Sequence, residues 1–195
     1  MKWQPKWEPR YTRRDLTLAN AFTGARIALI PFFALAWYHG DGERALWLFA
    51  AAVATDAIDG FLARYLNQKS RLGALLDPIA DKMLVLAALI VGVWIRAMPI
   101  WFLAVIVARD AVLALGAILF STRWKGRHGA EAWRPTRIGK YAMALQSLAI
   151  VLVLIDSTLD IGGLHPYTQV AMVFTAALTI TAGAQYTVRA ARALS

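Results

Sequence analysis

The stretch that decides the fold is DAIDGFLARYLNQKSRLGALLDPIADK, residues 56–82, which places four aspartates inside or beside long apolar runs. Asp56 and Asp59 are three residues apart and Asp77 and Asp81 are four apart, so on helices each pair projects from one face. Carboxylates are costly in lipid-facing segments, and four close together indicate a functional site. Two helices that face each other with these pairs would form an anionic pocket, and hard oxygen ligands select Mg²⁺, Mn²⁺ or Ca²⁺.

The composition is typical of a membrane protein with several spans. Of the 195 residues, 59% are hydrophobic and 17% are charged, whereas a soluble domain carries about a quarter charged residues. The first residues, 1–16, are polar, basic and aromatic and lack the apolar core of a signal peptide, so no cleaved leader is expected. The chain has no cysteine, which excludes disulfides, thiol nucleophiles and thiolate metal sites.

Six apolar stretches predict an all-α integral membrane fold with six transmembrane helices. They lie at 17–39, 43–66, 75–96, 98–121, 137–156 and 166–188. The connections are short, as in a compact helical bundle, and no internal repeat or long linker divides the chain. We therefore expect one six-helix domain over residues 17–195, preceded by a basic aromatic juxtamembrane segment over residues 1–16.

The positive charges predict the orientation in the membrane. Lysines and arginines cluster in the N-terminal segment, in the second and fourth connections and at the C-terminus, while the other connections carry only Arg44 and Arg96 among acids. By the positive-inside rule, both termini and the motif aspartates lie at the cytoplasmic face of the cell membrane, where a polar cavity would open. The net charge of +9 is then explained by topology and anionic lipid, and no nucleic-acid partner is expected.

The N-terminal segment has a possible anchoring role. Trp3, Trp7 and Tyr11 recur every four residues among cations, a pattern that on a helix forms one aromatic stripe suited to the membrane surface. Pro5 and Pro9 argue against a regular helix over the whole stretch. A disordered basic tail is the alternative.

Residue by residue, the motif reads D-x-x-D-G-x-x-A-R, then eight residues, then G-x-x-x-D-x-x-x-D. Its fixed positions are Asp56, Asp59, Gly60, Ala63, Arg64, Gly73, Asp77 and Asp81. In this membrane context the pattern resembles the signature of the CDP-alcohol phosphotransferase family, and the six-span layout extends the resemblance to nearly all of the chain. The resemblance implies a homodimeric membrane enzyme that transfers a phosphatidyl group from CDP-diacylglycerol to an alcohol and releases CMP.

The resemblance also implies a role for each motif residue. Asp56, Asp59 and Asp77 would bind two Mg²⁺ or Mn²⁺ ions, which bridge diphosphate oxygens and stabilise charge in an in-line displacement. Asp81 would be the general base that takes the proton of the acceptor hydroxyl, and it lies close enough to count among the metal-site carboxylates. The residues expected to bind the CMP moiety are Gly60, Ala63, Arg64 and Gly73.

Simpler interpretations also fit these residues one at a time. Small residues such as Gly60, Ala63 and Gly73 are common at helix crossings, and Arg64 suits an interfacial cation. Paired aspartates alone also suit the ion path of a small cation or proton transporter. The glycine and arginine spacing favours the transferase, because a transporter function would not explain why these residues occur together with the aspartates.

The first span carries a second polar cluster. The stretch NAFTGAR places Asn20, Thr23 and Arg26 near one helix face and is similar to the N-x-x-T-x-x-R pattern of the family's first helix. Arg26 lies inside an apolar run and must therefore face a polar interior. Pairing with an aspartate of the site and contact with substrate both remain open.

Spans four and five carry a third cluster. Arg109 and Asp110 are neighbours that point in different directions on a helix, so they are not expected to pair. Arg137 and Lys140 lie one turn apart at the start of span five. These cations fit a pocket for a phosphorylated acceptor or attraction to lipid headgroups.

The acceptor is predicted from further resemblances within the family. The stretches RIALIPFF and IGK, together with the motif, resemble the phosphatidylglycerophosphate synthases and favour glycerol 3-phosphate as the acceptor. The stretch VARDAVLALGAI resembles the eukaryotic-type cardiolipin synthases, whose acceptor is phosphatidylglycerol. That alternative stays open because the first group commonly has Glu where this chain has Asp110.

Overall fold

The computed structural model describes residues 18–65, 71–123, 137–159, 161 and 163–194. Over these residues the chain contains helices and no strand, in agreement with the predicted all-α class. The six helices are α1 Leu18–Tyr38, α2 Gly42–Tyr65, α3 Arg71–Trp94, α4 Ile100–Arg123, α5 Arg137–Leu159 and α6 His165–Leu194. Each predicted span coincides with one of them, although α3 begins earlier and α6 ends later than predicted. The aromatic segment 1–16 lies outside the described residues.

The helices have the surface of a membrane protein. Within the described residues, three are long and apolar enough to cross a membrane, over Ala21–Tyr38, Tyr141–Leu159 and His165–Val188. Large apolar side chains face outward on all six helices. Extensive exposed apolar surface of this kind marks contact with lipid or with a partner.

The chain divides into two compact units, Met1–Val91 and Gly92–Ser195. In the first unit, α1 and α2 are joined by a tight turn. Gly40 has φ +80°, its amide donates to the Trp37 carbonyl at 3.1 Å, and the amide of Asp41 donates to the Ala36 carbonyl at 2.9 Å. This is the Schellman pattern that ends a helix. The Asp41 carboxylate then accepts the amide of Arg44 at 3.3 Å and caps α2.

The buried face of α1 is polar near the start of the helix and apolar near its end. Thr23 and Arg26 are fully buried near its start, and Phe33 and Trp37 continue the same face at helical spacing. The Phe33 ring centroid lies 5.3 Å from that of Phe49 on α2 and 5.8 Å from that of Trp37. The apolar half therefore fixes α1 against α2 and holds the polar half in place at the other end.

In the second unit, α6 packs against both α4 and α5. Its buried face contains Thr168, Met172, Thr175, Thr179, Ala182 and Tyr186. The Thr179 hydroxyl donates to the Thr175 carbonyl at 2.8 Å, and the Thr175 hydroxyl donates to the Leu145 carbonyl of α5 at 3.4 Å. Small polar residues of this kind allow close helix contact while their hydroxyls remain hydrogen-bonded.

Two short connections complete the second unit. Between α3 and α4, Arg96 has φ 61°, and the amide of Met98 donates to the Gly92 carbonyl at 2.9 Å. Between α5 and α6, Asp156 Oδ2 lies 3.0 Å from His165 Nδ1 and accepts the Thr168 hydroxyl at 3.2 Å. This carboxylate therefore joins the end of α5 to the start of α6.

Candidate active site

Two of the four motif carboxylates have described side chains, and both belong to α3. Asp77 and Asp81 lie one turn apart on this helix, which brings them to one face. The Asp77 side chain is partly buried, whereas that of Asp81 is 55% exposed. Pro78 lies between them inside the helix and has no amide hydrogen to donate, so the backbone ladder loses one hydrogen bond beside these carboxylates.

Both carboxylates are hydrogen-bonded by side chains of α1. The Thr23 hydroxyl donates to Asp77 Oδ1 at 2.6 Å, and Arg26 Nη1 donates to Asp81 Oδ1 at 3.0 Å. Both donors are fully buried. Arg26, which was predicted to face a polar interior, is buried and pairs with a motif aspartate, one of the two roles left open for it.

The order of the two contacts also indicates helix direction. Thr23 precedes Arg26 by three residues and Asp77 precedes Asp81 by four, which corresponds to rises of about 4.5 and 6 Å. The two bonds therefore follow each other in the same sense along both helices. α1 and α3 run in the same direction where they meet, as a chain that goes up through α1, down through α2 and up through α3 requires.

The other motif residues have described backbones only. Asp56, Asp59, Gly60, Ala63 and Arg64 lie in the second half of α2. Gly73 lies in the first turn of α3 and Asn20 in the first turn of α1. The side chains of these residues lie outside the described set, and their roles stay predictions.

Asp77 and Asp81 are the two described carboxylates of the predicted divalent-metal site. The hydrogen bond from Thr23 engages Oδ1 of Asp77, while Oδ2 accepts none among the described residues. Within the described side chains no three acidic or histidine groups come together, and Asp56 and Asp59 are outside that set. An oxygen-only donor set of this kind fits Mg²⁺ or Mn²⁺.

A second buried cation lies in the second unit. The Arg109 side chain on α4 is 8% exposed, and its Nη1 lies 2.7 Å from Asp110 Oδ1. The expectation that these neighbours do not pair is therefore wrong, because the long arginine stem lets the guanidinium reach sideways around the helix. The Nε atom is buried and has no hydrogen-bond partner among the described residues. The stem packs close to Gly183 of α6, where an added Cβ would lie 3.8 Å from Arg109 Cγ.

Sequence reasoning did not single out Gln146, a buried polar residue of this unit. Gln146 on α5 is 8% exposed and lies on the same face as Ala142 and Ala149. The sequence feature that could have identified it is a single polar amide inside an apolar run. Such a residue usually contacts another polar group or a ligand. Arg137 and Lys140 lie in the first turn of α5, and their side chains are outside the described residues.

The chain belongs to the CDP-alcohol phosphatidyltransferase family, whose model matches residues 16–181. A probable phosphatidylglycerophosphate synthase of Mycobacterium tuberculosis is 34% identical over 190 residues, which cover 92% of this chain and 84% of the relative. The CDP-diacylglycerol--glycerol-3-phosphate 3-phosphatidyltransferase of Escherichia coli is 34% identical over 188 residues, covering 92% and 97%. A CMP-forming cardiolipin synthase of Streptomyces coelicolor is 34% identical over 165 residues, covering 78% and 73%.

Proposed function

We propose that this protein transfers the phosphatidyl group of CDP-diacylglycerol to glycerol 3-phosphate and releases CMP. The observation that carries the proposal is the pair Asp77 and Asp81 on one face of α3, each bonded by a buried α1 side chain while Asp81 stays open. Membership of a phosphatidyltransferase family gives this pair its chemistry. Relatives named for glycerol 3-phosphate, matched over most of both chains, support the acceptor.

The reaction requires a general base at the acceptor hydroxyl. The hydroxyl oxygen attacks the phosphorus that carries diacylglycerol, the bond from that phosphorus to the oxygen of CMP breaks, and CMP leaves. Asp81 accepts the hydroxyl proton, and its half-exposed carboxylate is accessible for that role. Arg26 holds one oxygen of Asp81 and leaves the carboxylate oriented towards the acceptor.

We infer that two Mg²⁺ or Mn²⁺ ions are held by Asp56, Asp59 and Asp77, with Asp81 beside them. When bound, such ions neutralise the diphosphate and stabilise the departing CMP. The hard oxygen donors fit this group, as does Oδ2 of Asp77, which accepts no hydrogen bond from the described residues. The nucleotide part of the substrate is assigned to Gly60, Ala63, Arg64 and Gly73. The three small residues permit close approach of the nucleotide to the backbone, and Arg64 can bind a phosphate.

For the second unit, the acceptor phosphate is assigned to Arg109 from its residue type and its burial in α4. Its guanidinium is buried, its Nε has no hydrogen-bond partner among the described residues, and arginine binds phosphate well. Arg137 and Lys140 at the start of α5 and Asn20 in α1 are assigned to the acceptor or to structural pairing, as their residue types suggest. Asp110 bonds Nη1 of Arg109 and fixes its orientation.

Phosphatidylglycerol is the second candidate acceptor, which would make the protein a cardiolipin synthase. Relatives named CMP-forming cardiolipin synthase, from Streptomyces coelicolor and from Homo sapiens, favour it. The cation or proton transporter suggested by paired aspartates alone has no support from the family match. The proposed enzyme therefore makes an anionic phospholipid in either case.

The proposed enzyme is a multi-pass protein of the cell membrane with six spans, a polar cavity open to the cytoplasm and a homodimeric assembly. Exposed aromatic residues lie at the helix ends that the charge pattern assigns to the outer face, among them Trp47, Trp94 and Tyr167, each 70–71% exposed. Tryptophan and tyrosine concentrate at membrane interfaces. The basic segment 1–16 would lie on the cytoplasmic surface.

The direct test is CMP release by the purified full-length protein with CDP-diacylglycerol and Mg²⁺. Glycerol 3-phosphate and phosphatidylglycerol are compared as acceptors. Asp81→Asn should lower kcat on the order of 10²- to 10⁴-fold, because the amide cannot accept the hydroxyl proton. The matched control is Asp41→Asn at the N-cap of α2, where asparagine caps equally well and activity should be retained.

Each outcome of this assay has a distinct meaning. CMP formed with glycerol 3-phosphate and lost in Asp81→Asn supports the proposed reaction. CMP formed only with phosphatidylglycerol identifies a cardiolipin synthase. An active Asp81→Asn variant would contradict the assigned base.

A further inference from the structure

We infer that α1 positions the two α3 carboxylates, with Thr23 orienting Asp77 for metal binding and Arg26 orienting Asp81 for the acceptor hydroxyl. This inference rests on the proposed function and adds two positioning residues to it. Neither Thr23 nor Arg26 needs to touch a substrate in this role. They act through the rotamers of Asp77 and Asp81.

Thr23 fixes which oxygen of Asp77 remains available. Its hydroxyl is fully buried and donates to Oδ1 at the short distance of 2.6 Å, as expected for a bond to a charged acceptor. Oδ2 accepts no hydrogen bond among the described residues, so it is the oxygen free to bind a cation. Hydrogen bonds to metal-binding carboxylates orient these ligands and strengthen metal binding.

Arg26 holds the more open of the two carboxylates. The Asp81 side chain is 55% exposed, and an aspartate on a helix surface has several staggered rotamers available to it. The guanidinium is rigid and planar, and its complete burial fixes the place from which Nη1 donates to Oδ1 at 3.0 Å. One oxygen of Asp81 is thereby held while the carboxylate stays exposed.

The contrast in burial distinguishes this arrangement from ordinary packing. Thr23 and Arg26 have no exposed surface, whereas Asp77 is partly exposed and Asp81 is largely exposed. A pair that served only to join two helices would not need to keep its acceptor exposed. Buried donors that hold exposed carboxylates in place are expected where those carboxylates bind or react with a ligand.

Metal affinity tests Thr23 apart from turnover. Mn²⁺ is titrated into the full-length protein in detergent, with free Mn²⁺ followed by its EPR signal. Thr23→Val, which keeps the shape and removes the donor, should weaken Mn²⁺ binding on the order of tenfold. Thr23→Ser, which restores the hydroxyl, should return affinity to within about twofold. The matched control is Thr179→Val, a buried threonine whose hydroxyl bonds its own helix at the Thr175 carbonyl, and it should bind like wild type.

Kinetics test Arg26. Arg26→Lys keeps the charge and loses the planar donor, so kcat should fall on the order of tenfold or more while Mn²⁺ affinity and the KM for CDP-diacylglycerol stay within about twofold. Unchanged Mn²⁺ binding in Thr23→Val, equal losses in the Val and Ser variants, or an unchanged kcat in Arg26→Lys would overturn the inference. If wild type releases no CMP with either acceptor but Thr23→Val still loses Mn²⁺ affinity, the proposed reaction fails and the role of Thr23 stands.

Discussion

At the scale of single residues, each compact unit holds one buried arginine next to an aspartate among the residues that the structure describes. Arg26 reaches across to Asp81 on another helix, whereas Arg109 bends back to its own neighbour, Asp110. In both pairs the arginine is the more buried partner, so loss of the aspartate charge would leave it uncompensated, which is destabilising. At Arg26, lysine keeps the charge of this fully buried side chain, so Arg26→Lys isolates the loss of the planar donor.

Arg109 should contribute to acceptor binding. Arg109→Gln removes the guanidinium, whose Nε has no partner in the part of the chain that the structure describes. The KM for the acceptor should therefore rise about 10- to 100-fold, which corresponds to the loss of a hydrogen bond to a charged group worth about 1.5–3 kcal/mol. The KM for CDP-diacylglycerol should change little. Steady-state CMP release with each substrate varied in turn measures both constants.

The control for this residue is Arg44→Gln, which removes an exposed arginine paired with Asp41. Exposed ion pairs contribute about 0–1 kcal/mol, so both KM values should stay near those of wild type. Equal increases in the two KM values of Arg109→Gln would argue for a general folding defect and against acceptor binding.

Sequence reasoning anticipated Arg26 better than Arg109. An arginine inside an apolar run must find a polar partner, so a paired Arg26 was predictable, but the identity of Asp81 as its partner was not. That pairing depends on the register of α1 against α3, which periodicity along one helix does not specify. The Arg109–Asp110 contact was missed because Cβ direction alone ignores the length of an arginine stem.

At the scale of elements, hydropathy located all six helices and missed their ends. α3 begins at Arg71 and α6 continues to Leu194, beyond the apolar stretches that were used to predict them. Hydropathy reports the lipid-facing part of a helix, while backbone hydrogen bonding continues into the polar interface. The α1–α2 turn was readable in principle, since Gly40 and Asp41 are the residues that end one helix and begin the next.

Arg96 occupies a backbone conformation that suits glycine. Its φ of 61° lies in the left-handed region, which costs a non-glycine residue about 1–2 kcal/mol. Arg96→Gly should therefore be more stable than Arg96→Ala by about 1 kcal/mol, since both lose the arginine side chain and only glycine relieves the Cβ. Thermal unfolding of the solubilised protein should give a higher Tm for the glycine variant, by about 2–4 °C. Equal melting temperatures for the two variants would contradict a conformational strain at position 96.

At the scale of the whole molecule, the position of the motif aspartates relative to the membrane determines which substrates can reach them. The same carboxylates could meet a CDP-linked lipid and a soluble acceptor only at a face that both can reach. Charge asymmetry predicts that this face is cytoplasmic, and the parallel α1 and α3 agree with an up, down, up course for the first three helices. The exposed aromatic residues Trp47, Trp94 and Tyr167 lie at helix ends that this orientation places at the outer face.

Single cysteines can test this topology directly, because the natural chain has none. Glu43→Cys at the start of α2 and Ile161→Cys between α5 and α6 should react with a membrane-impermeant maleimide in intact cells. Ser70→Cys and Gly129→Cys, in the connections predicted to be cytoplasmic, should react only after the cells are permeabilised. None of the four substitutions removes a lysine or arginine, so the positive-inside signal is preserved. Labelling of all four from one side would contradict spanning by the intervening helices, and a reversed pattern would move the motif aspartates to the outer face.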